Sequence, residues 1–160
     1  MAYQPVTSLE LVKNRGPRPA VMAFRDTVIF FAHAFGITDA GIYNRRPVRG
    51  LFGILTPANA SLHAVGRAWD AGVPHAYTNP GVGDHLAQGF VDHARECGII
   101  EVIWNRRRWT AERGWQRYGG SNPHLDHVHV GFSIEMANNT SDHAALVRWF
   151  AHFLFGIEVP

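Results

Sequence analysis

His124-Leu125-Asp126-His127-Val128-His129-Val130 is the stretch that decides how this chain folds. In a β-strand, successive side chains point to opposite faces. His127 and His129 therefore share one face, with α-carbons about 7 Å apart. Val128, Val130 and Phe132 share the other. Residues 125–133 are thus predicted to form a strand whose apolar back enters a core and whose front presents imidazoles on a rigid support. Three histidines in six residues on such a strand favour a functional site over a solvated edge. His-x-His alone is shared by many unrelated metal sites.

Working outward, residues 99–104 form a strongly apolar strand candidate. Before it, residues 83–97 read as a helix with Leu86, Phe90, Ala94 and Cys97 on the buried face and Gly98 as the stop. Val21, Phe24, Val28, Phe31 and Phe35 recur at steps of three and four, which predicts an amphipathic helix over 20–35 ending at Gly36. Thr7 and Glu10 have capping-box spacing, so a short helix is expected from Ser8, broken by Gly16-Pro17-Arg18-Pro19. A short strand is expected around Ala68–Ala71. A last helix is expected over 142–155, with Leu146, Val147, Phe150 and Leu154 on its apolar face. Residues 37–62, 74–83 and 105–123 read as loop with at most short strands. The order is helix, strand, helix, strand, strand, helix: an α+β fold, with helices packed on a small antiparallel sheet in one domain.

With 160 residues, 46% of them hydrophobic and 18% charged, the chain has an ordinary globular composition and enough length for a real core. Its net charge of +2 favours an anionic partner only weakly. Cys97 is the single cysteine, which excludes an intrachain disulfide and a Cys-rich zinc knuckle. Any metal must then be held by His, Asp or Glu. The first sixteen residues lack an apolar run of signal-peptide length, and Val28–Phe35 is too short to span a bilayer. No membrane partner is therefore expected. Asn105-Arg106-Arg107-Arg108-Trp109 invites a nucleic-acid reading, but a solvated surface is favoured. Trp104 is expected in the core; Trp109, Trp115 and Tyr118 are candidates for a cleft wall.

The second signal is Ser61-Leu62-His63-Ala64-Val65-Gly66-Arg67-Ala68-Trp69-Asp70. A hydrolytic zinc site needs three protein ligands and one open position, and both imidazole and carboxylate suit Zn²⁺. This segment offers one His and one Asp. The histidine strand offers a third ligand and spare imidazoles.

Ser-x-His-x-x-Gly-x-Ala-x-Asp followed by His-x-x-His-x-His resembles the zinc peptidase superfamily that joins lysostaphin, D-Ala-D-Ala metallopeptidases and the hedgehog amino-terminal domain. The first segment is similar to VanY-like carboxypeptidases and phage L-alanyl-D-glutamate endopeptidases; the second is similar to penicillin-insensitive murein endopeptidases. The likeness covers about residues 41–133. It implies one Zn²⁺ held by His63, Asp70 and His129. It also implies His127 beside the activated water as general base or oxyanion stabiliser, with His124 lining the same cleft. VanY-like enzymes carry a glutamate base a few residues before the last ligand, and Asp126 lies three before His129. Strand alternation turns Asp126 to the opposite face, which favours His127 as base and leaves Asp126 to orient a histidine. The resemblance further suggests that Arg46 or Arg49 holds a substrate carbonyl or carboxylate; a solvated basic loop is the equal alternative. Ser61 either bonds substrate or caps a turn.

The function these expectations add up to is a monomeric zinc peptidase acting on bacterial peptidoglycan, with an endopeptidase favoured over a D,D-carboxypeptidase. The resemblance and the absence of a leader suit a phage endolysin that waits in the host cytoplasm until released to the wall. Two other classes stay open: a non-catalytic zinc-bearing binding domain of hedgehog type, and a His-metal nuclease using the arginine run.

Overall fold

The computed structural model describes residues 2–45 and 54–139. In chain order its elements are α1 (Ser8–Lys13), α2 (Pro19–Ala32), β1 (Thr38–Gly41), β2 (Ala68–Gly72), α3 (Gly81–Asp92), β3 (Ile99–Trp104), β4 (Arg107–Thr110), β5 (Gly114–Arg117), β6 (His127–Phe132) and α4 (Ile134–Asn138). Two 3-10 turns, His33–Phe35 and Leu62–Val65, complete the set. The six strands make one antiparallel sheet in the order β1-β2-β6-β3-β4-β5. The fold is therefore α+β, with helices packed on an antiparallel sheet.

The apolar back of β6 is where the main core assembles. Val128, Val130 and Phe132 are fully buried there with Trp69, Val102 and Trp104 from neighbouring strands and Phe24, Val28, Leu86 and Phe90 from α2 and α3. Phe24 meets Phe132 and Trp69 edge-on, with ring centroids 4.8 and 6.4 Å apart. Each such side chain contributes roughly 1.5–3 kcal/mol by leaving water. Gly83 lets α3 lie directly on the sheet: a Cβ there would come within 2.1 Å of the Trp104 ring. Trp104 Nε1 in turn donates to Asp84 at 2.8 Å.

A smaller cluster covers the opposite face, the one that carries the histidines. Val6, Leu11, Leu62, Ala64, Val65, Ala68 and Ile100 bring the first segment and the 3-10 turn at 62–65 onto the sheet. Leu62 seats over Gly131 of β6, where a Cβ would lie 2.4 Å from its Cδ1. The missing side chain at 131 thus fixes how closely the turn bearing His63 approaches β6. The capping box of α1 forms as expected: Glu10 N donates to Thr7 Oγ1 at 3.2 Å and Thr7 N to Glu10 Oε2 at 3.1 Å. Glu10 also pairs with Arg67 Nε at 2.8 Å. Arg67 is wholly buried and donates to the carbonyls of Phe132 and Gln4, both at 2.9 Å.

Several expectations need correction. The helix expected over 20–35 stops at Ala32 and tightens into a 3-10 turn, closed by Gly36 at φ +77°. That change of pitch carries Phe35 off the buried stripe, and it is exposed. The helix expected to reach Cys97 ends at Asp92, although turns keep Ala94 and Cys97 buried. Residues 105–123 are not all loop, because they hold the β4–β5 hairpin. The preceding β3–β4 turn rests on Asn105 and Arg106, both left-handed at φ +46° and +65°. Such two-residue turns ordinarily announce themselves by a glycine, which is absent here. Helix α4, capped by the Ser133 hydroxyl accepting from Met136 N, was not foreseen. The helix expected over 142–155 lies outside the described residues. Among those residues, no helix is long and apolar enough to cross a membrane.

Candidate metal centre

Antiparallel pairing sets Asp70 of β2 directly opposite His129 of β6. The turn packed over Gly131 brings in His63. The result is a tight triangle: His63 Nε2 to Asp70 Oδ1 3.0 Å, His63 Nε2 to His129 Nδ1 3.0 Å, and His129 Nδ1 to Asp70 Oδ1 2.9 Å. The two segments singled out from the sequence thus meet at one point, and these three residues form a group that can hold a metal ion.

The fit to a cation follows from where the ring protons go. His63 Nδ1 lies 2.7 Å from the Ile42 carbonyl, which can only accept, so the proton sits on Nδ1 and Nε2 is a lone pair. His129 Nε2 lies 3.6 Å from the buried Glu101 carboxylate, which favours the proton on Nε2 and a lone pair on Nδ1. Once both rings are neutral in these tautomers, as holding a cation requires, two nitrogen lone pairs and a carboxylate oxygen converge with no hydrogen between them. A tetrahedral ion with bonds near 2.0–2.1 Å separates its ligand atoms by about 3.3 Å, within a few tenths of the observed triangle. Protonation reports the same field. Burial works against charge on Asp70, but the imidazoles of His129 and His63 against it hold its carboxyl well below the usual range. Burial alone would lower His129, yet Asp70 and Glu101 raise it to about 9.

His127 is half-buried on the same face. Its Nδ1 lies 2.6 Å from Asp126 Oδ1, and its Nε2 lies 3.8 Å from Asp70 Oδ2. The alternation argument for Asp126 does not apply, because β6 starts at His127 and Asp126 lies before the strand. Its carboxylate turns back onto His127, which is the orienting arrangement. His124 is buried at the strand's entrance, in the left-handed region at φ +51°. Its Nδ1 donates to the Asn122 carbonyl at 2.8 Å. Its ring centroid lies 4.7 Å from that of His127 and 5.7 Å from that of His129, with Tyr118 edge-on at 5.1 Å.

Burial, with His129 and His127 adding repulsion, pushes His124 down to about 4. This has a testable sign. The unfolded chain protonates His124 near pH 6.5, whereas the folded protein does so only near 4. Between those values the unfolded state binds more protons, so stability falls as pH drops through the window. At about 1.4 kcal/mol per unit the loss is roughly 3 kcal/mol. Urea unfolding of the metal-free protein at pH 6.5, 5 and 4 should show this loss. His124→Asn, which tolerates a left-handed backbone, should remove most of it; an unchanged slope in that variant would contradict the assignment.

The remaining candidates divide. Ser61 stands immediately before the 3-10 turn, but its side chain makes no capping bond. Arg46 and Arg49 lie outside the described residues. Trp109 and Trp115 are half-buried and pack against the helix-side core, so they do not line the histidine face; Arg107 lies over the Trp115 ring at 5.0 Å. Tyr118 does reach the site, through His124. Arg108 departs from the solvated-loop reading: it is ion-paired with Glu101. Sequence reading missed Glu101 and Arg67. Glu101 had a signal, a lone carboxylate inside Ile99–Trp104, since a charge on a buried strand must find partners.

No curated protein and no solved structure matches this chain. A family described as the C-terminal domain of VldE matches residues 32–129, more than half of the chain. That span runs from the end of α2 to the last residue of the triangle and contains His63, Asp70 and His129. By this match the chain belongs to the VldE C-terminal domain family.

Proposed function

We propose that the chain is a zinc-dependent peptidase acting on bacterial peptidoglycan, cleaving an amide bond in the stem or cross-link peptide in the manner of an endolysin. The observation that carries the hydrolase reading is the convergence of His63 Nε2, Asp70 Oδ1 and His129 Nδ1 beside a third imidazole, His127, that is not part of the triangle. A set of two imidazoles and a carboxylate suits Zn²⁺ over harder ions. When bound, zinc supplies Lewis acidity and makes water a nucleophile at neutral pH.

The chain's own residues do the rest. Asp126 holds the proton of His127 on Nδ1, which leaves Nε2 as a base on the side of Asp70. His127 Nε2 takes a proton from the attacking water and returns it to the departing amine. Asp126 steadies the imidazolium between those events. His124, neutral and with its Nδ1 proton committed to Asn122, offers its other nitrogen as a hydrogen-bond acceptor within the cleft. The choice of peptidoglycan is supported by the resemblance of the segments at 61–70 and 124–129 to cell-wall peptidases.

The test is incubation of the zinc-loaded protein with purified cell walls, following new amino termini and identifying the fragments by mass spectrometry. Release of peptides by the wild type, and none by His129→Ala, is the expected result. No release with zinc present, or equal release by His129→Ala, would sink the proposal.

A further inference from the structure

We propose that Glu101 is a positioning residue that fixes which nitrogen His129 offers to the metal, and that Arg108 holds Glu101 in place for that task. The inference rests on the metal reading of the triangle and extends it to two residues on strands that carry no ligand.

All six residues of β3 are buried, and Glu101 is the single charge among them. A buried carboxylate costs several kcal/mol unless it is paired and hydrogen-bonded. Its two oxygens go to two different strands. Oε1 takes the guanidinium of Arg108 on β4, and Oε2 lies 3.6 Å from His129 Nε2 on β6. The register explains the reach. Glu101 sits opposite Gly131 on one side and Thr110 on the other, so His129 and Arg108 are both its diagonal neighbours. Gly131 lies against the pair: a Cβ there would make ordinary contact with Glu101 Oε2 at 3.6 Å.

When His129 gives up one of its two ring protons to take an ion, two carboxylates compete for the one that remains. Asp70 Oδ1, 2.9 Å from Nδ1, draws the proton to the ligating side. Glu101 draws it to Nε2, which frees Nδ1 to ligate. Without Glu101, His129 can settle with Nδ1–H on Asp70, a form that offers the ion no lone pair. Arg108 is about a third exposed and can be solvated without a partner, whereas Glu101 cannot. The pair thus serves Glu101, and Glu101 serves His129. Carboxylates behind a ligating histidine typically govern metal affinity by 10–100-fold.

The experiment measures zinc affinity by chelator competition for wild type, Glu101→Gln and Glu101→Met, together with the melting temperature of each metal-free protein. The expected result is a 10–100-fold loss of zinc affinity in both variants, with metal-free melting at or above the wild-type value. A merely structural role would give the reverse: lower melting and affinity within twofold of wild type, which would overturn the proposal. Glu101→Gln keeps the shape and so keeps the test available if the methionine variant does not fold. If the wild type itself binds no zinc, the metal reading fails and this inference with it. If the wild type binds zinc and Glu101→Gln binds equally well, only the role of Glu101 fails.

Discussion

Replacing His127 with alanine is expected to lower the rate of cell-wall hydrolysis about 10²–10⁴-fold, the usual worth of a positioned acid–base group, while zinc stays bound. The separation follows from position. His127 lies outside the triangle, with its Nε2 3.8 Å from Asp70 Oδ2. Its Nδ1 is spoken for by Asp126, so its chemistry is confined to Nε2. Asp126→Asn should cost less than His127→Ala, because it weakens the orientation of the imidazole and leaves the base itself in place. Rates on cell-wall fragments, with zinc content measured on the same samples, decide the matter. If Asp126→Asn loses as much activity as His127→Ala or more, Asp126 is the base. If His127→Ala loses its zinc, the histidine belongs to the ligand set.

The second large effect is on stability. Arg67→Met is expected to cost about 3–5 kcal/mol, because it strands a buried carboxylate. Arg67 is wholly buried, and its partner Glu10 is almost so. The remaining cation, Arg18, stands 3.7 Å from Glu10, which keeps the loss toward the lower end. Arg67 also ties the carbonyls of Gln4 and Phe132 together, so its removal loosens the first segment from the end of β6. A loss of this size is a large share of the 5–15 kcal/mol that folded domains typically hold. The double variant with Glu10→Gln should recover much of it, since no buried charge is then left alone. Urea denaturation measures both; a loss below about 1 kcal/mol in Arg67→Met would show that Arg18 and water already satisfy Glu10.

How much of this was legible beforehand depended on whether the signal was local. Alternation in the histidine strand placed His127 and His129 on one face and Val128, Val130 and Phe132 in the core, because a period of two needs no knowledge of the partner strand. The stripe from Val21 to Val28 was readable for the same reason. The β4–β5 hairpin was not, since its strands are polar and the turn before it uses Asn105 and Arg106 where glycine is the usual marker. Glu101 was visible as an oddity in an apolar strand, yet its meaning depends on Arg108 and His129, which only the sheet order brings beside it. Arg67 sat inside a quoted motif and looked like a spacer; its burial follows from the packing of a distant N-terminal segment. The contact of Asp126 with His127 is not given by alternation, because Asp126 lies one residue before the strand begins.

The central claim is that His63, Asp70 and His129 hold one metal ion, and zinc titration of the metal-free protein by calorimetry tests it most directly. One zinc per chain is expected, with tighter binding at pH 7.5 than at pH 6, because His129 must give up a proton that it holds up to about pH 9. Asp70→Ala and His129→Ala should each abolish that binding. Failure of the wild type to bind zinc, or an unchanged stoichiometry and affinity in Asp70→Ala, would contradict it.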